Sequence, residues 1–209
     1  MTPARHLALG IVLTAAVGMI DAVGFIELGG FYTSFMSGNT TQLGAGFSEP
    51  GAALLLPASL VTLFIVGSFL GSLIGGRTDR RRMIAVVSLV LCGLGLTVAL
   101  NAQGFPASQS MLVLAASAGA QNAILAQRGS VRLGTTFVTG TLFAVGQDMA
   151  RAVRGEAPTW RWAQHLMVWG ALLLGALIGA FAYGLMHLWA LALPAAIYAA
   201  FLVGLLTIR

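Results

Sequence analysis

Charge is what this sequence has least of. Only 8% of its 209 residues are Asp, Glu, Lys or Arg, where an ordinary soluble domain carries about 25%. With 58% of the chain hydrophobic, a soluble fold of this size has no interior large enough to hide its apolar surface, so lipid must solvate part of it. Lysine is absent, and all eleven basic residues are arginine. They lie in short connectors between apolar runs, as the positive-inside rule expects, and no basic face with interleaved aromatics exists for a nucleic acid to bind.

Cysteine is equally scarce. The single Cys92 excludes a disulfide framework and a thiolate metal site, and its place in an apolar run predicts a small packing residue. His6, His165 and His187 fall near the ends of apolar runs without metal-ligand spacing. Also missing are a nucleophile elbow, a phosphate-cradling Gly-Lys-Ser/Thr loop and an HExxH helix. No metal, cofactor or enzymatic activity is therefore expected.

What the sequence does hold is long apolar runs. Six, at about 8–28, 53–76, 83–103, 110–127, 163–186 and 188–208, reach the roughly 20 residues needed to cross a bilayer. The first resembles a signal peptide but is too long for one, and it is read as a structural span. Two shorter stretches, about 31–47 and 134–150, are rich in Gly, Ser and Thr and suit re-entrant segments. Trp160, Trp162 and Trp189 sit at run ends, as aromatic belts do.

The chain also repeats itself. "FMSGNTTQLG" (35–44) matches "FVTGTLFAVG" (137–146) at an offset of 102. "LGSLIGG" (70–76) matches "LGALIGA" (174–180) at 104, and "LTAAVGMIDA" (13–22) matches "LAASAGAQNA" (114–123) at 101. A boundary near Gly104 gives a first repeat, 1–104, and a second, 105–209. With six spans and both short segments returning to their side of entry, Arg5, the Arg77–Arg82 cluster, Arg128, Arg132, Arg151, Arg154, Arg161 and Arg209 share one face. An eight-span arrangement strands either that cluster or Arg5, Arg151, Arg154, Arg161 and Arg209. The predicted fold is thus an all-α polytopic membrane protein, with six transmembrane helices plus two short re-entrant or broken helices. Three spans per half make the repeats inverted, with N- and C-termini cytoplasmic.

Polar groups at membrane depth survive where protein or a water-filled cavity satisfies them. Ser37, Gly38, Asn39, Thr40, Thr41 and Gln42 in the first short segment, and Thr139, Gly140 and Thr141 in the second, are the candidates to line a solute path. They offer hydroxyls, amides and tight turns without fixed charge. Asp21 lies inside the first run, where a carboxylate is costly, and its repeat-mate is Asn122. It is read either as a coupling acid or as a hydrogen-bonded acid pinning the re-entrant loop. Glu27 is expected at an external mouth, and Asp148 in an ion pair with Arg151 and Arg154. The stripes Gly67, Gly71, Gly75 and Ala171, Gly175, Gly179 predict close helix contact where the repeats meet, and they permit a homodimer.

"DAVGFIELGGFYTSFMSGNTTQLG" (21–44) and "TTFVTGTLFAVGQDMAR" (135–151) make the chain resemble the YoaK-type family of bacterial inner-membrane proteins, a domain of unknown function. The resemblance spans essentially the whole chain and implies a six-span membrane protein with no established substrate. The expectation is a small transporter or channel for an unidentified small solute or ion, embedded in the lipid bilayer of the cytoplasmic membrane. The alternative is a non-transporting scaffold, assembly factor or sensor whose duplicated motifs only pack helices.

Overall fold

The structure is a computed structural model that describes residues 4–48, 54–74, 79–122 and 138–207. Gly75, Arg77, Arg128, Arg132, Arg209 and the first residues of the second short segment lie outside the described residues. Helices α1 (Ala4–Glu27), α2 (Met36–Gly46), α3 (Leu55–Leu73) and α4 (Asp79–Ala102) are followed by α5 (Ala107–Ser110) and α6 (Leu112–Gln121). Then come α7 (Val138–Val153), α8 (Arg161–Met186), a short 3-10 helix (His187–Leu191) and α9 (Ala192–Thr207). Among the described residues there is no strand.

Among the described residues, four stretches are long and apolar enough to cross a membrane: Leu7–Glu27, Leu55–Leu73, Arg80–Ala102 and Arg161–Thr207. The last runs 47 residues and is broken at His187, whose φ of 50° lies in the left-handed region that ends an α-helix. The helices carry apolar side chains all round, and those facing outward are exposed: Ile65, Phe69 and Leu73 on α3, Leu174, Leu177 and Phe181 on α8. Such a surface is at rest in lipid. Cys92 is exposed on α4 rather than packed inside, since the apolar run around it is wider than the face the bundle buries.

Because lipid is as apolar as the helices, close backbone approach holds them together. Gly175 lies against the Ala15 backbone, and a Cβ on Gly179 would stand 2.7 Å from the Met19 Cα. Gly67 meets Ala116 in the same way, and a Cβ on Gly71 would stand 2.7 Å from the Ala120 Cα. Positions advance together along each pair, so α1 runs parallel to α8 and α3 parallel to α6. The remaining packed pairs include α2 with α3, α7 with α8, α4 with α6, α1 with α9, and α4 with α9. Exchanging α1–α4 for α6–α9 maps this set of pairs onto itself. Gly67 and Gly175, which make the same kind of approach, lie 108 residues apart, one helical turn beyond the 104 of the sequence match. A stripe with a small residue every fourth position matches itself after a four-residue shift, so sequence alone did not select the turn.

Val168 of α8 packs on Leu7 and Ile11 at the start of α1. Near the start of α4, Arg80 donates through Nε to the Leu205 carbonyl at 2.8 Å and through a terminal nitrogen to that of Leu206 at 3.2 Å, so α9 ends beside α4's beginning. Helix α3 ends at Leu73, six positions before α4 begins at Asp79. Arg5, Arg80, Arg81 and Arg82 therefore share one end of the bundle with Arg161 at the start of α8. The centre is filled by Leu13, Val17 and Ile20 of α1, Val90 and Leu94 of α4, Leu114 and Ala118 of α6, and Tyr198 of α9, all buried.

Candidate functional site

After α1 the chain doubles back. Gly29 and Gly30, at φ of 63° and 108°, adopt left-handed backbone that favours glycine. The return carries Thr33 and Ser34 down to Asp21, which sits six residues, about 9 Å, short of the helix end. Thr33 donates its hydroxyl to Asp21 Oδ1 at 2.8 Å, the Ser34 N–H donates to the same oxygen at 2.7 Å, and the Ser34 hydroxyl donates to Oδ2. Gly24 makes room, since a Cβ there would stand 2.5 Å from the Thr33 methyl. Asp21 thus has donors that a carboxylate can accept but no ion pair among the described residues.

Helix α2 then rises outward from this depth. Asn39 is buried and grips the backbone of Tyr32 from both sides. Its Nδ2 donates to the Tyr32 carbonyl at 2.7 Å and its Oδ1 accepts from the Tyr32 N–H at 3.0 Å. Gln42 Nε2 donates to the Gly30 carbonyl at 2.7 Å. Thr40 and Thr41 turn their hydroxyls to their own helix, onto the carbonyls of Met36 (2.8 Å) and Ser37 (3.1 Å). Gly38 lets the Phe35 and Tyr32 rings lie close, where a Cβ would meet ring carbons at 2.7 and 3.0 Å. The polar run therefore fastens a re-entering loop and seats two aromatic rings.

A cavity of about 570 Å³ lies where this loop faces the second half of the chain. Asp21, Phe25, Tyr32, Ser34 and Phe35 line one side, Val138, Thr139 and Leu142 from the start of α7 a second, and Leu172, Ala176 and Ala180 of α8 a third. Phe25 and Tyr32 stack with centroids 5.0 Å apart, and Tyr32 meets Phe35 edge-on at 5.2 Å. The volume falls in the range of small-molecule sites, which are apolar with a few polar anchors.

The cavity thus brings Asp21 and Thr139 together. Ser37, Thr40 and Thr41 are exposed on α2 and do not line it, nor do Gly38, Asn39 and Gln42, which hold its wall in place. Gly140 has open space where a Cβ would point, and Thr141 is buried with a bonded partner. Asn122 donates back to the Ala118 carbonyl at 3.3 Å and makes a further contact. Thr33, Ser34 and the aromatic wall were missed in the sequence. The signal available was the hydroxyl pair "TS" closing a Gly-Gly turn after a buried Asp.

At the arginine end, α7 finishes against the start of α8. Buried Asp148 lies 3.1 Å from Arg161 Nε, 3.5 Å from an Arg151 terminal nitrogen and 3.4 Å from His165 Nε2. Arg154 pairs instead with Glu156, at 2.7 Å. His165 is buried in this cluster rather than placed at a lipid interface, because α7 covers the α8 face that carries it. At the opposite end Tyr183 donates to Glu27 at 2.9 Å.

The family described as "Protein of unknown function (DUF1275)" matches residues 9–204. UPF0700 transmembrane protein RA0705 of Rhizobium meliloti (strain 1021) is 32% identical over 181 residues, which cover 84% of this chain and 77% of the relative. No solved structure matches the chain.

Proposed function

The chain belongs to the DUF1275 family of multi-pass membrane proteins, in keeping with its YoaK-type motifs, and from that premise we propose that it is a small transporter or channel with its solute site at Asp21. The observation that carries this is the cavity itself. A carboxylate of α1, the loop that pins it and the start of α7 converge on one space of ligand size.

In this reading the chain crosses the bilayer six times, with α6 as one pass and α8 and α9 as two separate passes. Parallel α1 and α8, parallel α3 and α6, and antiparallel α4 and α9 support two inverted repeats, because each helix then opposes its counterpart. Both short helices start at the cavity and run outward to opposite ends, which is the plan of transporters with central sites. The arginine end faces the cytoplasm by the positive-inside rule. The contacts through Gly67, Gly71, Gly175 and Gly179 all join one repeat to the other, so relative movement of the repeats would open the cavity to alternate sides. The assignment is to transport and not to a chemical reaction.

The competing reading, a non-transporting scaffold, draws support from Asn39, Thr40, Thr41 and Gln42, whose side chains all serve local hydrogen bonds. Purified protein in liposomes separates the two. The transport reading expects uptake of a member of a mixed panel of small cations, anions and neutral solutes above that of empty vesicles, abolished by Asp21→Asn. Vesicles no more permeable than empty ones to every member would leave the scaffold.

A further inference from the structure

The chemistry of the cavity wall indicates what it takes. Resting on the transport site proposed above, we infer that its ligand is a small organic cation, an ammonium group on a compact body. Asp21 has three hydrogen-bond donors and, among the described residues, no cationic neighbour. Among the described arginines, Arg151 and Arg161 serve Asp148 and Arg80 caps α9, all at the arginine end of the bundle. A carboxylate at membrane depth is rarely left without a counter-charge, and here the ligand supplies it.

The rest of the wall suits a cation with an apolar coat. Phe25, Tyr32 and Phe35 form a continuous aromatic surface beside the carboxylate. Ring faces attract ammonium groups, more strongly where water is excluded. This surface is built with some care: Asn39 holds the Tyr32 backbone through two hydrogen bonds, and Gly38 admits the Phe35 ring. A small inorganic cation would want a shell of oxygen ligands. Among the described residues the cavity instead offers one carboxylate, three hydroxyl residues (Tyr32, Ser34 and Thr139) and mainly hydrocarbon. An anion would meet the Asp21 charge head-on.

Three matched probes test this on the full chain in lipid nanodiscs: choline, its neutral isostere 3,3-dimethyl-1-butanol, and the anion isethionate. Choline is expected to bind saturably and about tenfold or more tighter than the isostere, with no saturable isethionate binding. Asp21→Asn should erase the preference for choline. Phe25→Leu, at an exposed ring, leaves the carboxylate shell intact and should weaken choline more than the isostere, which keeps the test open if Asp21→Asn does not fold. Equal binding of choline and the isostere, tighter isethionate binding, or no saturable choline binding overturns the proposal.

Uptake of the same probes into proteoliposomes separates this inference from the transport reading. Choline bound but never moved sinks transport and leaves the cation site. Asp21-dependent uptake of isethionate, with no choline binding, sinks the cation and leaves transport.

Discussion

Ser34 is tied twice to Asp21, thirteen residues earlier, through its backbone N–H at 2.7 Å and through its hydroxyl. Together with Thr33 it holds the returning chain in the bundle, and it makes Asp21 both the anchor of the loop and part of the cavity wall. Ser34→Ala removes the hydroxyl bond and keeps the backbone one, so a loss of about 1.5 kcal/mol is expected. Asp21→Ala strands all three donors and should cost about 3 kcal/mol. Unfolding in mixed micelles measures both, and equal losses would mean that the carboxylate does not organise the loop.

Asn39 sits among neighbours that look equivalent in the sequence. Asn39→Ala deprives the Tyr32 N–H and carbonyl of their partner in a buried place, at about 2–3 kcal/mol. Thr40→Ala and Thr41→Ala lose only bonds to their own helix and should stay within about 0.5 kcal/mol. A threonine change that matched Asn39→Ala would reverse this ranking.

Glycines divide by what they touch. Gly67→Ala and Gly175→Ala push a methyl into the backbone of Ala116 and Ala15, forcing helices apart at about 1–3 kcal/mol or more. Gly95→Ala points into open space and should be neutral, or stabilising by up to about 1 kcal/mol from helix propensity. Thermal inactivation of the three variants side by side is sufficient.

Asp148 joins two helices, and Glu156 pairs only at the surface. Asp148→Asn removes the partner of Arg161 and Arg151 at a buried position and should cost about 1–3 kcal/mol, discounted because both arginines are over a third exposed. Glu156→Gln should leave Tm unchanged. Differential scanning of both variants at low and high salt reads the contrast.

Topology is checked by labelling. In a Cys92→Ala background, Ser48→Cys and Glu156→Cys, both at exposed positions, should react with a membrane-impermeant maleimide from opposite faces. Reaction from the same face would remove the inverted arrangement.

Much of this was legible in the sequence. The runs at 8–28, 53–76 and 83–103 became α1, α3 and α4, because an apolar stretch of that length in lipid has one cheap way to satisfy its backbone. The short segments 31–47 and 134–150 became α2 and α7, helices of 11 and 16 residues, because glycine and polar side chains interrupt the apolar pattern there. Asp21 stood out because a carboxylate in such a run needs a reason.

The amino-acid sequence by itself determined that the chain is helical and membrane-embedded, where its helices lie, and which acid is out of place, since these follow from hydropathy and local periodicity. Only the tertiary structure decided that Thr33 and Ser34 hold that acid, that Asn39 spends its amide on Tyr32, and which turn of each glycine stripe meets its partner. Those are choices between residues of equal local preference, and they are settled by which surfaces fit when the chain folds back on itself.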